Sequence, residues 1–475
     1  MSLRKISPLV LALVVLFSGA PASAAVLTAS ALTPPTGISG ISQGYLPAFS
    51  CTSQGNCLSA GSGPSSNGTV SGFTFTQNNG TWGSGALIKI ADASASQISV
   101  TGGSCGAAGS CTVTGTYGVN NTSQEVFVAT EFNGTWRTAN QLGLPAGAMG
   151  AGQNAQVHSI SCVGSGSCSL IGSYLASTGH NKILGFTANE VNGVWGKATS
   201  VALPPHPNLN PEMSLNQISC WSAGNCLAVG DYVNSDGITQ AFTVKEVVGL
   251  WGAPVMVTPP TNASAYAGTT LSEVDCFSVG SCTAIGSFNN ATGALVPLAI
   301  SMVGNQWRPA AAIALPPNAS TSSETFLWGF SGISCASSGN CAFGGDYLTS
   351  GKLHQGFLVN EVNGVWQAAT QLALPTGALY AGQNGGVIEM SCSAAGTCTA
   401  AGAYVNASGN YEGLLVTETQ NHWQTATTIT LPAGATTVGI DGGVYGLQCF
   451  SATMCEAVGT YETSSGAYLP FSVTS

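Results

Sequence analysis

Glu273, Asp275 and Glu389 are the residues of this chain best placed for acid–base chemistry, because each interrupts a pattern that the rest of the sequence keeps. Two carboxyls roughly 5–9.5 Å apart are the machinery of glycoside hydrolysis. Glu273 and Asp275, with one residue between them, fall on one face of a strand, about 7 Å apart at Cα. Segments of the same kind carry further acids (Glu212, Glu324, Asp441), flat rings (Tyr45, Tyr266, Trp328, Tyr380, Tyr445) and amides (Gln383 and Asn384, with Gln153 and Asn154 in a matching AGQN element). His158 joins them as a polar ring. Rings to stack on a sugar, amides to pair with its hydroxyls and carboxyls to bind or cleave it make a set suited to glycans. The competing reading is of ordinary polar loop residues with a few packed aromatics.

The elements that must position these residues follow from a repeat. Sixteen cysteines form eight C-x5-C pairs: Cys51 and Cys57, Cys105 and Cys111, Cys162 and Cys168, Cys220 and Cys226, Cys276 and Cys282, Cys335 and Cys341, Cys392 and Cys398, and Cys449 and Cys455. Successive first cysteines are 54, 57, 58, 56, 59, 57 and 57 residues apart, a period that signals a solenoid, a propeller or an array. Within each unit, apolar residues alternate or run together for a few positions between Gly- and Asn-rich punctuation, which is strand spacing. A C-x-x-x-G-x-Tyr/Phe run, a second β-rich run, a tight turn such as NGVW (192–195) and a Pro-terminated run such as ATSVALP (198–204) give four strands per unit. The last unit stops after its third strand at LPFSVTS (469–475), whereas AVLTASALTPP (25–35) reads like a displaced fourth strand. Pairing the two closes a ring and removes exposed sheet edges. The expectation is an all-β, eight-bladed β-propeller of four-stranded antiparallel blades, with the N-terminal strand completing the last one.

Residues that recur in most units are scaffold, since one active site has no use for eight copies. That assigns to scaffold the turn carboxylates Glu131, Glu190, Glu246, Glu361 and Glu418, and the Trp set 82, 136, 195, 251, 307, 366 and 423. Ser104 sits in a G-x-S-x-G but holds the repeated position before Cys, and no helix follows it as a nucleophile elbow requires. DYVNSDG (231–237) lacks the alternate-position spacing of a calcium loop, and no metal or cofactor is expected. The departures from the repeat lie in the connections before each first Cys, which in propellers meet at one face around the channel.

Residues 1–24 read as a signal peptide: Arg4 and Lys5, an apolar run from Leu9 to Phe17, and Ala22-Ser23-Ala24 before cleavage. Residues 25–475 are then a single propeller domain, exported and without a membrane anchor. LPTG (374–377) has the letters of a cell-wall sorting signal but is internal and belongs to the repeated L-P-x-G-A element. Paired local cysteines in an exported chain read as disulfides, so all eight pairs are expected to be bonded within their own units. Loss of Arg4 and Lys5 lowers Lys+Arg from 9 to 7 against 19 Asp+Glu, for a net charge near −12. Nucleic acid is excluded as a partner, because phosphate binding needs clustered cations. Charged residues are only 6% of the chain, a composition that suits either a neutral exoprotein surface or an acid-stable one.

The S-C-x-S-x-G-x-C-x-A-x-G repeat, plainest in SCWSAGNCLAVG (219–230), resembles the cysteine-pair repeats of secreted actinobacterial propellers. The NGTW turns at 79–82 and 133–136 are similar to the tail of the Asp-box hairpin in sialidase-type propellers, without the box's Ser and Asp. Sialidase activity does not carry over: that family uses an arginine triad, and only Arg137 and Arg308 remain, each directly after a repeat Trp. Three functions stay open, led by a monomeric binding module for a glycan or a cell-envelope partner. The others are a glycoside-active hydrolase or lyase and a structural exoprotein without ligand.

Overall fold

The computed structural model describes residues 27–92, 94–119, 123–149, 155–178, 182–264, 268–320, 330–379, 385–436 and 443–474. Eight antiparallel sheets, one per repeat, form the blades of an eight-bladed β-propeller. In the fifth blade the inner strand Thr269–Ser278 turns into Ser281–Asn289 and then Leu295–Val303. The outer strand is split into Gln306–Trp307 and Ala311–Ala312. Inner strands touch their neighbours all the way round, and that of the last blade, Gly443–Ser451, meets that of the first, Ala48–Ser53. The N-terminal strand does complete the last blade: Ser30–Ala31 pairs antiparallel with Tyr468–Thr474. Just before it, Leu27–Thr28 lies parallel to Thr427–Thr430 of the seventh blade. Among the described residues the only helical element is the 3-10 turn Ser42–Gly44, and no helix is long and apolar enough to cross a membrane.

The core lies between blades. Leu227 and Val229 of the fourth blade pack on Leu271, Phe288 and Leu298 of the fifth, and this pattern repeats round the ring. It explains why the second strands read as continuous apolar runs: both their faces are covered. The repeated glycine in those strands answers a close approach, since a Cβ on Gly286 would sit 2.0 Å from the Thr270 carbonyl oxygen. The outer strand is broken because its middle turns to the previous blade: Gly196 N–H still bonds Asn189, but Ala198 N–H donates to Gly143 of the second blade at 2.8 Å.

All eight cysteine pairs are disulfides, as their spacing predicts. Cys51 is bonded to Cys57, Cys105 to Cys111, Cys162 to Cys168 and Cys220 to Cys226. Likewise Cys276 is bonded to Cys282, Cys335 to Cys341, Cys392 to Cys398 and Cys449 to Cys455. Each closes the hairpin between the first two strands, where the paired Cα atoms lie 3.9–4.0 Å apart. Polar girdles add bonds between blades. At the inner girdle the Oγ of the Ser that precedes the first Cys in most blades accepts the next blade's Cys N–H, as in Ser104 to Cys162 at 3.0 Å and Ser334 to Cys392 at 2.9 Å. The turn carboxylates form a second girdle further out. Ser301 donates to Glu361 at 2.8 Å and Asn360 to Glu418 at 2.6 Å.

Candidate functional site

Two groups of departures from the repeat come together in space. One faces the channel. Every inner strand from the second blade to the eighth has an irregularity within the few residues before its first Cys, as between Leu271 and Glu273 and between Val387 and Glu389. A bulge of this kind re-aims side chains. Three residues before Cys stand Ser159, Gln217, Glu273, Gly332 and Glu389 in successive blades. Ser159 Oγ and Gln217 Oε1 each accept a backbone N–H of the following blade, Ile218 at 3.4 Å and Val274 at 2.5 Å.

Gly332 has no side chain to offer, and the carboxylate of Glu389 fills that space: a Cβ on Gly332 would lie 3.3 Å from Glu389 Oε2. This brings Glu389 within electrostatic reach of Glu273, two blades away. Both keep some water-accessible surface yet are enclosed by protein, as side chains lining a channel are. Burial pushes Glu273 up to about 7, against a hydrogen bond from Gln217. Burial, and then the charge of Glu273, push Glu389 up to about 8. At neutral pH Glu389 therefore keeps most of its proton while Glu273 is about half ionised, and the two lose their protons one after the other.

Asp275 points to a different partner. Its Oδ2 accepts the Cys335 N–H at 2.8 Å, the bond that serine makes at the neighbouring junctions, and Ser219 Oγ lies 3.5 Å from Oδ1. Burial raises its pKa while those donors lower it. The structure thus sets Glu273 and Glu389 at the same strand position two blades apart, the charge of Glu273 felt at Glu389, and gives Asp275 the girdle position. His158 also faces the channel, with Nε2 2.8 Å from Ser173 Oγ and its pKa lowered by burial.

The second group lies on the face of the inter-blade connections. Tyr445 meets Tyr45 edge to face, centroids 6.3 Å apart. Tyr45, 41% exposed, edges a cleft of about 300 Å³ between the first two blades, together with Ser42, Ser62, Ser99, Gln97 and Gln124. No charged side chain lines it. Gln97 adopts the left-handed region (φ +50°) and its Oε1 accepts the Val70 N–H at 3.2 Å. Tyr266, Trp328, Tyr380, Gln383 and Asn384 lie outside the described residues. Sequence reasoning missed Gln217, although its offset from Cys equals that of Glu273 and Glu389. It also missed Gln97 and Gln124, which sit on strands that the repeat explains. The close Cys220, Cys226 and Glu246 atoms are no metal centre, because the two sulfurs form a disulfide.

The chain matches no known protein family and no curated protein. Among solved structures it is similar to the WD40 domain of SCAP from fission yeast, at 7% identity and a TM-score of 0.44, covering 91% of this chain and 95% of that one. An ulvan lyase is 10% identical with a TM-score of 0.42, covering 85% and 96%. A fucose-specific lectin from Aleuria aurantia is 14% identical with a TM-score of 0.33, covering 72% and 99%. None is similar enough to bear on what this chain does.

Proposed function

We propose that this chain is a secreted binding propeller whose connection face recognises a glycan, free or carried by a cell-envelope partner. The observation behind this reading is the cleft beside Tyr45: an exposed aromatic edge over walls that mix serine hydroxyls and glutamine amides with Pro47, Val70 and Val100. Such a lining matches the alternating apolar faces and hydroxyl rims of a neutral sugar, and its size sits at the lower end of small-ligand pockets, roughly 300–1,000 Å³. A glycan array probed with residues 25–475 tests it. Binding that falls about tenfold or more in Tyr45→Ala, as for a central aromatic anchor, supports the reading; silence on every neutral glycan sinks it.

The channel pair supports a second reading, a glycoside hydrolase with Glu273 and Glu389 as its carboxyls. Such a mechanism needs one carboxyl ionised while the other keeps its proton. With ionisations near 7 and 8, activity would be confined to a narrow bell between those values. Sugar release with that profile, abolished in Glu273→Gln and in Glu389→Gln, would establish the hydrolase. Release that persists in the double variant would remove it.

A further inference from the structure

On the outer rim the second and third blades enclose a cleft of about 500 Å³. It is lined by two of the seven basic residues that follow the signal segment, Arg137 and Lys197. They come from different repeats, one and two residues after the repeat Trp. Only at this junction do both positions carry a cation; the corresponding pairs elsewhere include Gly83 with Thr138, Gly196 with Ala253 and Arg308 with Ala368.

The fold holds both side chains in place. The Arg137 guanidinium stacks 4.6 Å above the Phe132 ring. Gly143 leaves room for the Lys197 stem, whose Cγ would be 3.5 Å from a Cβ there. Both residues are exposed, and neither makes an ion pair among the described residues. No carboxylate lines the cleft. Glu190, which feels the charge of Arg137, is buried beneath the hairpin rather than in the cleft lining. Trp195 forms a wall, its indole N–H turned to Thr130 Oγ1 at 3.4 Å, while Thr138, Asn140 and Gln141 supply hydroxyl and amide groups. In a chain this acidic, two unpaired cations in one concave site mark an anion-binding position. The aromatic wall and amides specify what carries the anion.

We infer that this rim cleft binds an anionic saccharide, one or two sugar rings bearing a carboxylate or sulfate held by Arg137 and Lys197 with a ring against Trp195. The site is separate from the Tyr45 cleft, and the inference stands or falls independently of it.

The test is calorimetric titration of residues 25–475 with a galacturonate disaccharide, a sulfated disaccharide, their neutral counterpart and an acidic peptide. At least one anionic sugar binds, added salt weakens that binding, and any binding of the neutral one is unchanged by salt and by the substitutions that follow. Arg137→Ala and Lys197→Ala each reduce affinity about tenfold or more. Arg137→Lys, which keeps the charge without the planar fork, falls between. Arg308→Ala, the matching position on the fifth blade, leaves binding unchanged. The inference is overturned if neither anionic sugar binds, if binding survives both substitutions, or if only the acidic peptide binds.

Discussion

Asp275 separates two meanings of a carboxylate that breaks a repeat. Sequence alone marks it beside Glu273 because each is an acid at a position where most units carry none. The structure shows it accepting the same Cys N–H that serine accepts at neighbouring junctions. Asp275→Ser therefore keeps the bond and relieves the burial of a charge, whereas Asp275→Ala leaves the Cys335 N–H unpaired at a cost of about 1–3 kcal/mol. Denaturant unfolding checks this: an Ala variant as stable as the Ser variant would show that the bond contributes nothing. Glu389 was legible as a departure, but its partner was not. Which acids meet depends on Gly332 leaving a gap between blades, and a glycine in a list of polar residues gives no sign of the space it creates.

At the scale of single elements, the turn before each Trp shows what the repeat specifies and where it is overridden. Asn79, Asn133, Asn192 and Asn363 occupy this turn with φ of 48–53°, a region Asn tolerates. The fourth blade places Val248 there at φ +49°, although the residue is β-branched and 81% exposed. Strain of this kind costs of order 1–3 kcal/mol, and no packing offsets it. Val248→Asn is expected to stabilise the protein by about 1 kcal/mol, read as a rise in the denaturation midpoint; a fall would mean that the Val side chain has a role in the fold. The strands, turns and cysteine pairing were all legible because each unit restates them. The broken outer strand was not, since its cause is a bond to a neighbouring blade rather than anything in its own residues. The same blindness hid the rim cleft: Arg137 reads only as the residue after a repeat Trp, and nothing joins it to Lys197 until the second and third blades are set side by side.

At the scale of the whole molecule, the outer girdle of carboxylates sets the response to pH. Glu131, Glu190, Glu246, Glu361 and Glu418 are almost fully buried, and burial raises the pKa of each, that of Glu418 to about 7. Arg137 and Arg308 oppose the rise only at Glu190 and Glu361. One oxygen each of Glu131 and Glu361 is buried without a hydrogen-bond partner, as suits a neutral carboxyl better than an ion. These groups bind protons more tightly in the folded chain than in the unfolded one, where Glu titrates near 4.3. Their stabilising contribution is complete below about pH 4 and is lost as pH rises through the raised values, about 7 for Glu418. Melting temperature should accordingly fall between pH 4 and pH 8, and a protein that melts higher at pH 8 would contradict the role given to the girdle. The scarcity of charge was visible in the composition; that the few carboxylates present favour acid appears only once they are seen buried.

The cysteine pairs and the ring closure also impose an order of events as the chain is made. Partners six residues apart emerge almost together, so each correct bond can form before the next pair exists, and the many wrong pairings open to sixteen thiols never compete. The last blade is different. It waits for residues 30–31, made before all eight cysteine pairs, to pair with residues 468–474, made after them. Oxidation can thus run unit by unit without reshuffling, while assembly stays incomplete until the final strand is released, leaving an open sheet edge for the whole of that interval.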